Sequence, residues 1–433
     1  MKLFSQKKLL DQFNIMNTLK VSLYILPISL ILGNAAVNIN CLIITLNLIL
    51  IFFSKKELFK AYQKIFLIFS LFFGIIILNV IFSHEIILSL ISSLGLVRYF
   101  FLMLAMLVCI ENDERFLLNY SKLLILVLIF VAGDTLFQYY NGQDIFGIKA
   151  TTSHGQRLNG PFGNEYIVGA YLSKLFFISL IFFIVSRTNY LYLFLYLIFI
   201  LSITLITKER MASLILIFTC AIFLLFSNKI NFKIKILYIS IFLIFSSLLI
   251  LTNKSIKDHL VTRSLEQIGI SDKLNVKKET KKNSQNQRIF FDSRWGAHYL
   301  TAYNIFLDNP FLGSGIKTFR VKCGEKKYEN IKSASKKIRC NTHPHNIYLE
   351  IISEGGSTLF LSFILFNLFI FYKLIFNYIK FEKTRNLTLV IFCNFFMLFF
   401  PIQTSGSFFS TWNGLYYWLA YAFVAFEFRR VKI

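Results

Sequence analysis

The sequence predicts an all-α polytopic membrane protein, with about twelve transmembrane helices and one large, partly helical loop. Three observations predict it. The 433-residue chain is 56% hydrophobic with a mean hydropathy of +0.62, and Phe alone supplies 51 residues. A soluble fold could not hide that much apolar surface. Apolar runs of about 20 residues recur, the length a helix needs to cross roughly 30 Å of hydrocarbon. Those runs lack the polar–apolar alternation of membrane β-strands.

The expected spans are 17–34, 35–53, 65–83, 86–110, 122–140, 165–186, 190–207, 211–227, 236–252, 347–372, 387–403 and 411–427. No small-residue cleavage site follows the first, so it is expected to stay as a span. Three parts follow: spans one to nine over 1–252, a large loop over 253–346, and spans ten to twelve over 347–433. Charge then orients the chain. The segments assigned to the cytoplasmic side carry 21 Lys and Arg, whereas the short outer loops carry Lys149, Arg157, Lys208 and Arg210. That asymmetry places both termini in the cytoplasm.

The large loop falls on the outer side despite 19 basic and 8 acidic residues, a balance of +11. Long loops cross regardless of charge. A basic outer loop suits anionic lipid headgroups or an anionic substrate, or is simply a solvated surface. Nucleic acid is a poor partner, since the loop faces away from the cytoplasm. The run "KKETKKNSQNQ" (277–287) reads as a flexible insertion with no assigned role. Four cysteines lie within spans. Cys323 and Cys340 lie in the loop, where an oxidising space would allow them to pair. Closing that loop would contribute about 3 kcal/mol on the chain-entropy account.

The outer face collects the polar chemistry. "SHGQRLNGPFGNEYIVG" (153–169) presents Arg157 within a Gly- and Pro-rich turn. "ITKERMAS" (206–213) is too short to leave the interface, so Arg210 stays at the outer leaflet. Arg grips phosphate oxygens with two parallel donors, although a snorkelling anchor is the plainer reading. In "SRWGAHYLTAYNIFLDNPFLGSGIKTFR" (293–320), Trp295, Tyr299, Ala302, Tyr303 and Phe306 recur at helical spacing. Asn309–Pro310 ends that helix and Gly313 and Gly315 turn the chain. Arg294 at its start faces a phosphate or pairs with Asp292.

"IRCNTHPHNIYLEIISEGG" (338–356) is the densest stretch. Asn346 is placed to cap the tenth span, beside His345. A helix start is electropositive, so a histidine there stays neutral with a nitrogen free to accept a proton. Glu350 and Glu354 on the first turns could orient an imidazole. Three readings stay open for His343 and His345. They form a general base near an arginine-lined phosphate site, a zinc set with Cys323 and Cys340, or a structural helix cap. Within the spans, Arg98, Asp134 and Lys174 are the few buried charges, and Arg98 could pair with Asp134.

These segments, "RLNGPFGNE", "KERMAS", "DSRWGAHYLTAYNIFLDNPFLGSG" and "THPHNIYLEIISEGG" in that order, resemble the O-antigen ligase and O-antigen polymerase superfamily of bacterial inner-membrane glycosyltransferases. The resemblance implies a twelve-helix bundle capped by a helical periplasmic loop in the inner membrane of a Gram-negative bacterium. It implies a glycan donor carried on undecaprenyl diphosphate, with no cofactor, no nucleotide sugar and, in the ligases, no metal. The acceptor would be the lipid A core in a ligase, or another carrier-linked glycan in a polymerase. Membrane lipids complete the expected partners. By motif, His345 would be the general base. Arg210 and Arg294 would hold the diphosphate, Arg157 would be a further contact, and His343, Asn346 and Glu354 would be supporting residues. "TKERMAS" departs from a tidy pattern, because Lys208 and Glu209 precede the arginine. A twelve-span transporter is the reading from a different class, but it should concentrate polar groups at mid-membrane depth.

Overall fold

The computed structural model describes residues 2–150, 157–228, 231–268 and 290–430. The 277–287 run and residues 153–156 of the first outer motif lie outside them. Fourteen longer helices order the described residues: α1 Lys2–Leu32, α2 Asn34–Ser54, α3 Gln63–Ile81, α4 Ile86–Leu94, α5 Val97–Asn112, α6 Phe116–Asn141 and α7 Val168–Val185; then α8 Tyr190–Ile206, α9 Arg210–Phe226, α10 Phe232–Thr252, α11 Arg294–Asp308, α12 Ile347–Lys380, α13 Arg385–Leu398 and α14 Thr411–Arg430. Among the described residues there is no strand, only an isolated bridge between Gln143 and Lys149.

Among the described residues, eight helical stretches are long and apolar enough to cross a membrane: Ile15–Leu32, α2, α3, Ile86–Asn112, α6, α7, α10 and α12. The chain is a multi-span membrane protein. The other expected spans are the shorter apolar α8 and α9, the 14-residue α13, and α14, which carries Glu427, Arg429 and Arg430. The segment expected at 86–110 breaks at Gly95–Leu96, after Ser92 and Ser93, where Ser and Gly are two residue types of weak helix propensity. Helix α7 starts at Val168 rather than 165, because Glu165 belongs to a turn that its N–H closes on the Phe162 carbonyl. Helix α12 runs eight residues beyond its expected end at 372.

One core joins the bundle, where α1 packs on α2, α6 on α7, α5 on α14, and α7 on α13. Helices α3 and α10 bury little and leave Leu67, Leu71, Leu78, Ile244 and Leu251 exposed. Apolar faces of that length need hydrocarbon around them. The large loop has a small core of its own: Ala302, Ile305, Phe319, Cys323 and Tyr328.

A break in α12 ties that loop to the bundle. Gly356 takes φ 66° inside the helix, which interrupts the ladder of hydrogen bonds. The turn after α11 repairs it. Ser314 and Gly315 donate to the carbonyls of Ser353 and Glu354, while Ser357 and Thr358 donate to those of Pro310 and Phe311. Asn79 of α3 donates to the Glu354 and Leu312 carbonyls. A Cβ on Gly356 would collide with the Phe311 carbonyl, and one on Gly313 with that of Glu354.

Candidate active site at the head of α12

Four segments build the site. The first follows α6. Gln138 Oε1 accepts from the amides of Asn159 and Gly160, and its Nε2 donates to Asn159 Oδ1 at 2.7 Å. Gly160 adopts φ 48° directly against Thr135, where a side chain would not fit. This clasp fixes Arg157. Its guanidinium lies over the Tyr166 ring, 5.2 Å from the centroid, and its Nε is buried without a hydrogen-bond partner.

The second segment opens α9. Lys208 takes φ 61°, which turns Glu209 inward. The Glu209 carboxylate accepts from the amides of Gly169 and Ala170 at 2.7 and 3.0 Å and so caps α7, a neighbouring helix. Burial raises its pKa to about 7, against the pull of Arg157. Glu209 is thus engaged structurally, and Arg210 is the first residue of α9. Arg263, Arg157 and Arg294 all lie within electrostatic reach of Arg210.

The third segment is α11. Ser293 caps it by accepting from Gly296 N at 3.2 Å. The face it buries is Ala297, His298, Thr301, Ala302 and Ile305, one step round from the aromatic stripe that the spacing suggests; Tyr303 stays exposed. Arg294 does not pair with Asp292. Its guanidinium lies 4.6 Å from the centre of the Trp295 ring, and Asp292 accepts from Ala334 N instead.

The fourth segment is "NTHPHN". Asn346 accepts from the amides of Tyr348 and Leu349 at 3.0 and 3.1 Å and caps α12. His345 just before it holds φ 61°, unusual for a residue with a side chain. Its carbonyl accepts from Ser405 N at 2.8 Å. The imidazole lies 4.9 Å from the Trp295 ring, 4.3 Å from His343 and 5.3 Å from His298, centre to centre. Asn341 Nδ2 sits 2.8 Å from its Nε2. Burial holds the pKa of His345 down at about 3 and that of His343 at about 4. The neighbouring cations push the same way: Arg294 on His345, and Arg320 and Lys317 on His343. Both rings are therefore neutral at pH 7.

Around this centre the structure brings Arg157 and Arg294 within electrostatic reach of Arg210, and Arg294 is also within reach of His345. Glu350 and Glu354 do not orient an imidazole. Glu350 accepts from Ser407 Oγ and Phe408 N, and Glu354 from the amides of Lys317 and Phe319. Both are fully buried, tying loops to α12. Cys323 and Cys340 are bonded to each other with Cα atoms 5.2 Å apart. Those thiols are therefore not available to a zinc set, and among the described residues no group of three His, Cys, Asp or Glu is arranged for a metal ion. Arg98 and Asp134 do not pair either: Arg98 donates to Tyr99 and Thr411, while Asp134 accepts from Ile145 N. Lys174 donates to Asn413 at 2.6 Å, beside the Trp412 and Tyr416 rings.

Sequence reasoning passed over His298, Arg263, Lys317 and Arg320. His298 sits inside the quoted α11 motif, but its histidine was hidden behind a more conspicuous aromatic period.

Residues 172–364 match the family model described as O-antigen ligase. The match runs from α7 to the middle of α12 and includes Arg210, Arg294, the disulfide, His298, His343, His345 and Gly356, while Arg157 precedes it. None of the curated proteins compared with the chain matches it.

Proposed function

We propose that this multi-span membrane protein moves a glycan from undecaprenyl diphosphate to the lipid A core, a reading supported by the match of residues 172–364 to the family model described as O-antigen ligase. The observation that carries the reading is that Arg294 and His345 meet the same ring, Trp295, at 4.6 and 4.9 Å from its centre, with Arg210 within electrostatic reach of Arg294. A diphosphate needs fixed positive charge where it departs, and a hydroxyl needs a neutral base where it attacks. In this reading all twelve apolar segments span, both termini are cytoplasmic, and the 253–346 loop and the site face the periplasm of a Gram-negative inner membrane.

The acceptor hydroxyl replaces the Asn341 amide at His345 Nε2 and gives up its proton there. Its oxygen bonds to the anomeric carbon from the face opposite the diphosphate. The glycosidic C–O bond to phosphate breaks, and undecaprenyl diphosphate leaves with the electron pair. Arg210, Arg294 and Arg157 hold the charge that develops on it. The anomeric configuration inverts, no covalent enzyme intermediate forms, and no step requires a metal. His343 and Asn346 set the base: one packs on its ring, the other fixes the start of α12.

The experiment is a deletion strain with its glycolipids resolved. Bare core with full-length polymer left on the carrier is expected. Core bearing a single repeat unit would instead assign the polymerase reaction, in which a second carrier-linked unit is the acceptor. Unchanged glycolipids would reject both.

A further inference from the structure

The three clustered imidazoles differ in which ring nitrogens the protein occupies. His343 is held on both sides, with Thr342 Oγ1 at 2.9 Å from Nδ1 and the Ser405 carbonyl at 3.3 Å from Nε2. A carbonyl only accepts, so Nε2 carries the proton and Nδ1 takes the hydroxyl hydrogen. In His345 the amide of Asn341 decides the tautomer. Asn341 Oδ1 accepts from Thr342 N at 2.7 Å, so its Nδ2 donates to His345 Nε2, and the ring proton sits on Nδ1. In His298, Nδ1 lies 2.9 Å from the Arg339 carbonyl and must be the protonated nitrogen. Its lone pair is therefore on Nε2, which is buried and has no hydrogen-bond partner. Of the three rings, His298 alone keeps a lone pair that the protein leaves unused.

That lone pair is held in place from behind. Arg339 donates through Nε to the Cys323 carbonyl at 2.9 Å, and the next residue, Cys340, is bonded to Cys323. His298 is thus anchored to the part of the loop that the disulfide closes, and it is 1% exposed. The His298 and His345 rings are 5.3 Å apart, tilted by 42°. That separation admits a nitrogen–nitrogen hydrogen bond of about 3 Å once one ring turns edge-on.

We propose that His298 is a positioning residue for the transfer reaction, its Nε2 accepting the Nδ1–H of His345 while that ring takes the acceptor's proton. The inference rests on His345 being the base. As the hydroxyl proton reaches His345 Nε2, the ring becomes an imidazolium whose second N–H points away from the substrate. The proton stays on His345. His298 donates nothing and loses nothing; it supplies the lone pair that the new charge needs. Such a partner is required here because the surroundings oppose the charge. Arg294 on α11, and His343 with Arg320 and Lys317 around it, are all cationic or neutral, Glu350 and Glu354 on α12 are engaged by backbone amides, and Glu329 faces Arg339 at 3.9 Å. The Arg339 guanidinium is turned to the Cys323 carbonyl.

The test uses the purified full chain with lipid-linked donor and core acceptor. His298→Asn keeps a donor for the Arg339 carbonyl but has no atom at Nε2. It is expected to lower kcat about 10- to 100-fold with KM changed less than about twofold. Losing the partner makes the His345 imidazolium harder to form, so the acid limb of kcat/KM should move to lower pH. His298→Gln reaches the Nε2 position with an acceptor oxygen and should recover part of the loss. A folded His298→Asn with wild-type kcat and an unmoved acid limb would overturn the inference. Should the Asn variant not fold, a wild-type limb and kcat in His298→Gln and His298→Ala alike would do the same. If His345→Ala retains turnover, the base assignment itself fails, whatever the His298 variants do.

Discussion

The two ends of α6 use the same charged residue types to opposite effect. At its start, carboxylates meet cations. Lys20 lies 2.6 Å from Asp113, and Arg429 lies 2.6 Å from Glu111, which also accepts from the Tyr62 hydroxyl. Arg430 closes on Glu427 nearby in sequence. Beyond its end, the carboxylates meet backbone amides. Glu209 caps α7, Glu350 holds the chain at Phe408, and Glu354 holds Lys317 and Phe319. Helix starts and a broken helix leave amide hydrogens without carbonyl partners, and buried carboxylates answer that need. The consequence is electrostatic. One end is stitched by ion pairs; at the other, ion pairs lie out in the loop at Lys322–Glu325, Lys327–Asp308 and Arg339–Glu329, whereas the buried Glu209, Glu350 and Glu354 are turned to backbone amides. An anion binds where charge is left over, so the difference separates a structural end from a reactive one.

The largest test of this contrast removes the base. His345→Ala is expected to lower turnover by about 100- to 10,000-fold, whereas His343→Ala should act more weakly. Both are read as glycolipid product against the purified chain. Equal, mild losses would reduce the cluster to a helix cap. Next come the cations. Arg210→Ala and Arg294→Ala should each lower kcat by about 100- to 1,000-fold, by analogy with a lost oxyanion donor. Lys at either position should restore only part, because an ammonium lacks the paired donors of a guanidinium. Arg429→Ala, at the stitched end, should leave kcat unchanged and slightly lower thermal stability, as an exposed ion pair contributes about 0–1 kcal/mol. If Arg429→Ala and Arg294→Ala prove alike in kcat, the contrast is gone.

A smaller effect, on stability, addresses why the carboxylates sit where they do. Gly356→Ala forces a side chain onto φ 66° and against the Phe311 carbonyl. It should cost about 1–3 kcal/mol from backbone strain, and more if the α11 turn is expelled. Glu354→Gln should destabilise by about 1–3 kcal/mol, as the amides of Lys317 and Phe319 lose a charged acceptor. Both are measured as loss of thermal stability in detergent. A neutral Gly356→Ala would mean that the turn does not complete the helix.

Much of this was legible because local chemistry announces itself. Asn346 reads as a cap from its place before an apolar run, and Asn309–Pro310 ends its helix whatever packs on it, whereas the break at Gly356 was hidden in an apolar run that reads as one span. The roles of Glu350 and Glu354 were not legible. Their position on the first turns of α12 is the same whether they face an imidazole or an amide, and only the loops that return from 317 and 408 decide it. Asp292 beside Arg294 likewise looks like an ion pair until Ala334 takes the carboxylate. His298 escaped for a related reason. Periodicity picks out the most aromatic stripe, but the buried face of α11 is set by what the loop core and the disulfide leave open.

Acid should separate the two ends most quietly. Burial holds His343 and His345 near 4 and 3, below the ordinary 6.5 of histidine, so the unfolded chain binds more protons than the folded one across that window. Stability then falls as pH falls from about 6.5 toward 4, since protons favour whichever state binds them. Asp113 at the other end is shifted below the ordinary 3.8, chiefly by its hydrogen bond from Lys20, so its pairing is present throughout that window and is lost only at lower pH. Between pH 7 and 5, hydrogen-exchange protection factors, taken against the intrinsic rate at each pH, should therefore fall in residues 341–349 and 403–408 while residues 111–116 keep theirs. The double variant His343→Gln, His345→Gln should flatten the response at the first end alone. Uniform loosening at both ends would show that the histidines are not what mild acid acts on.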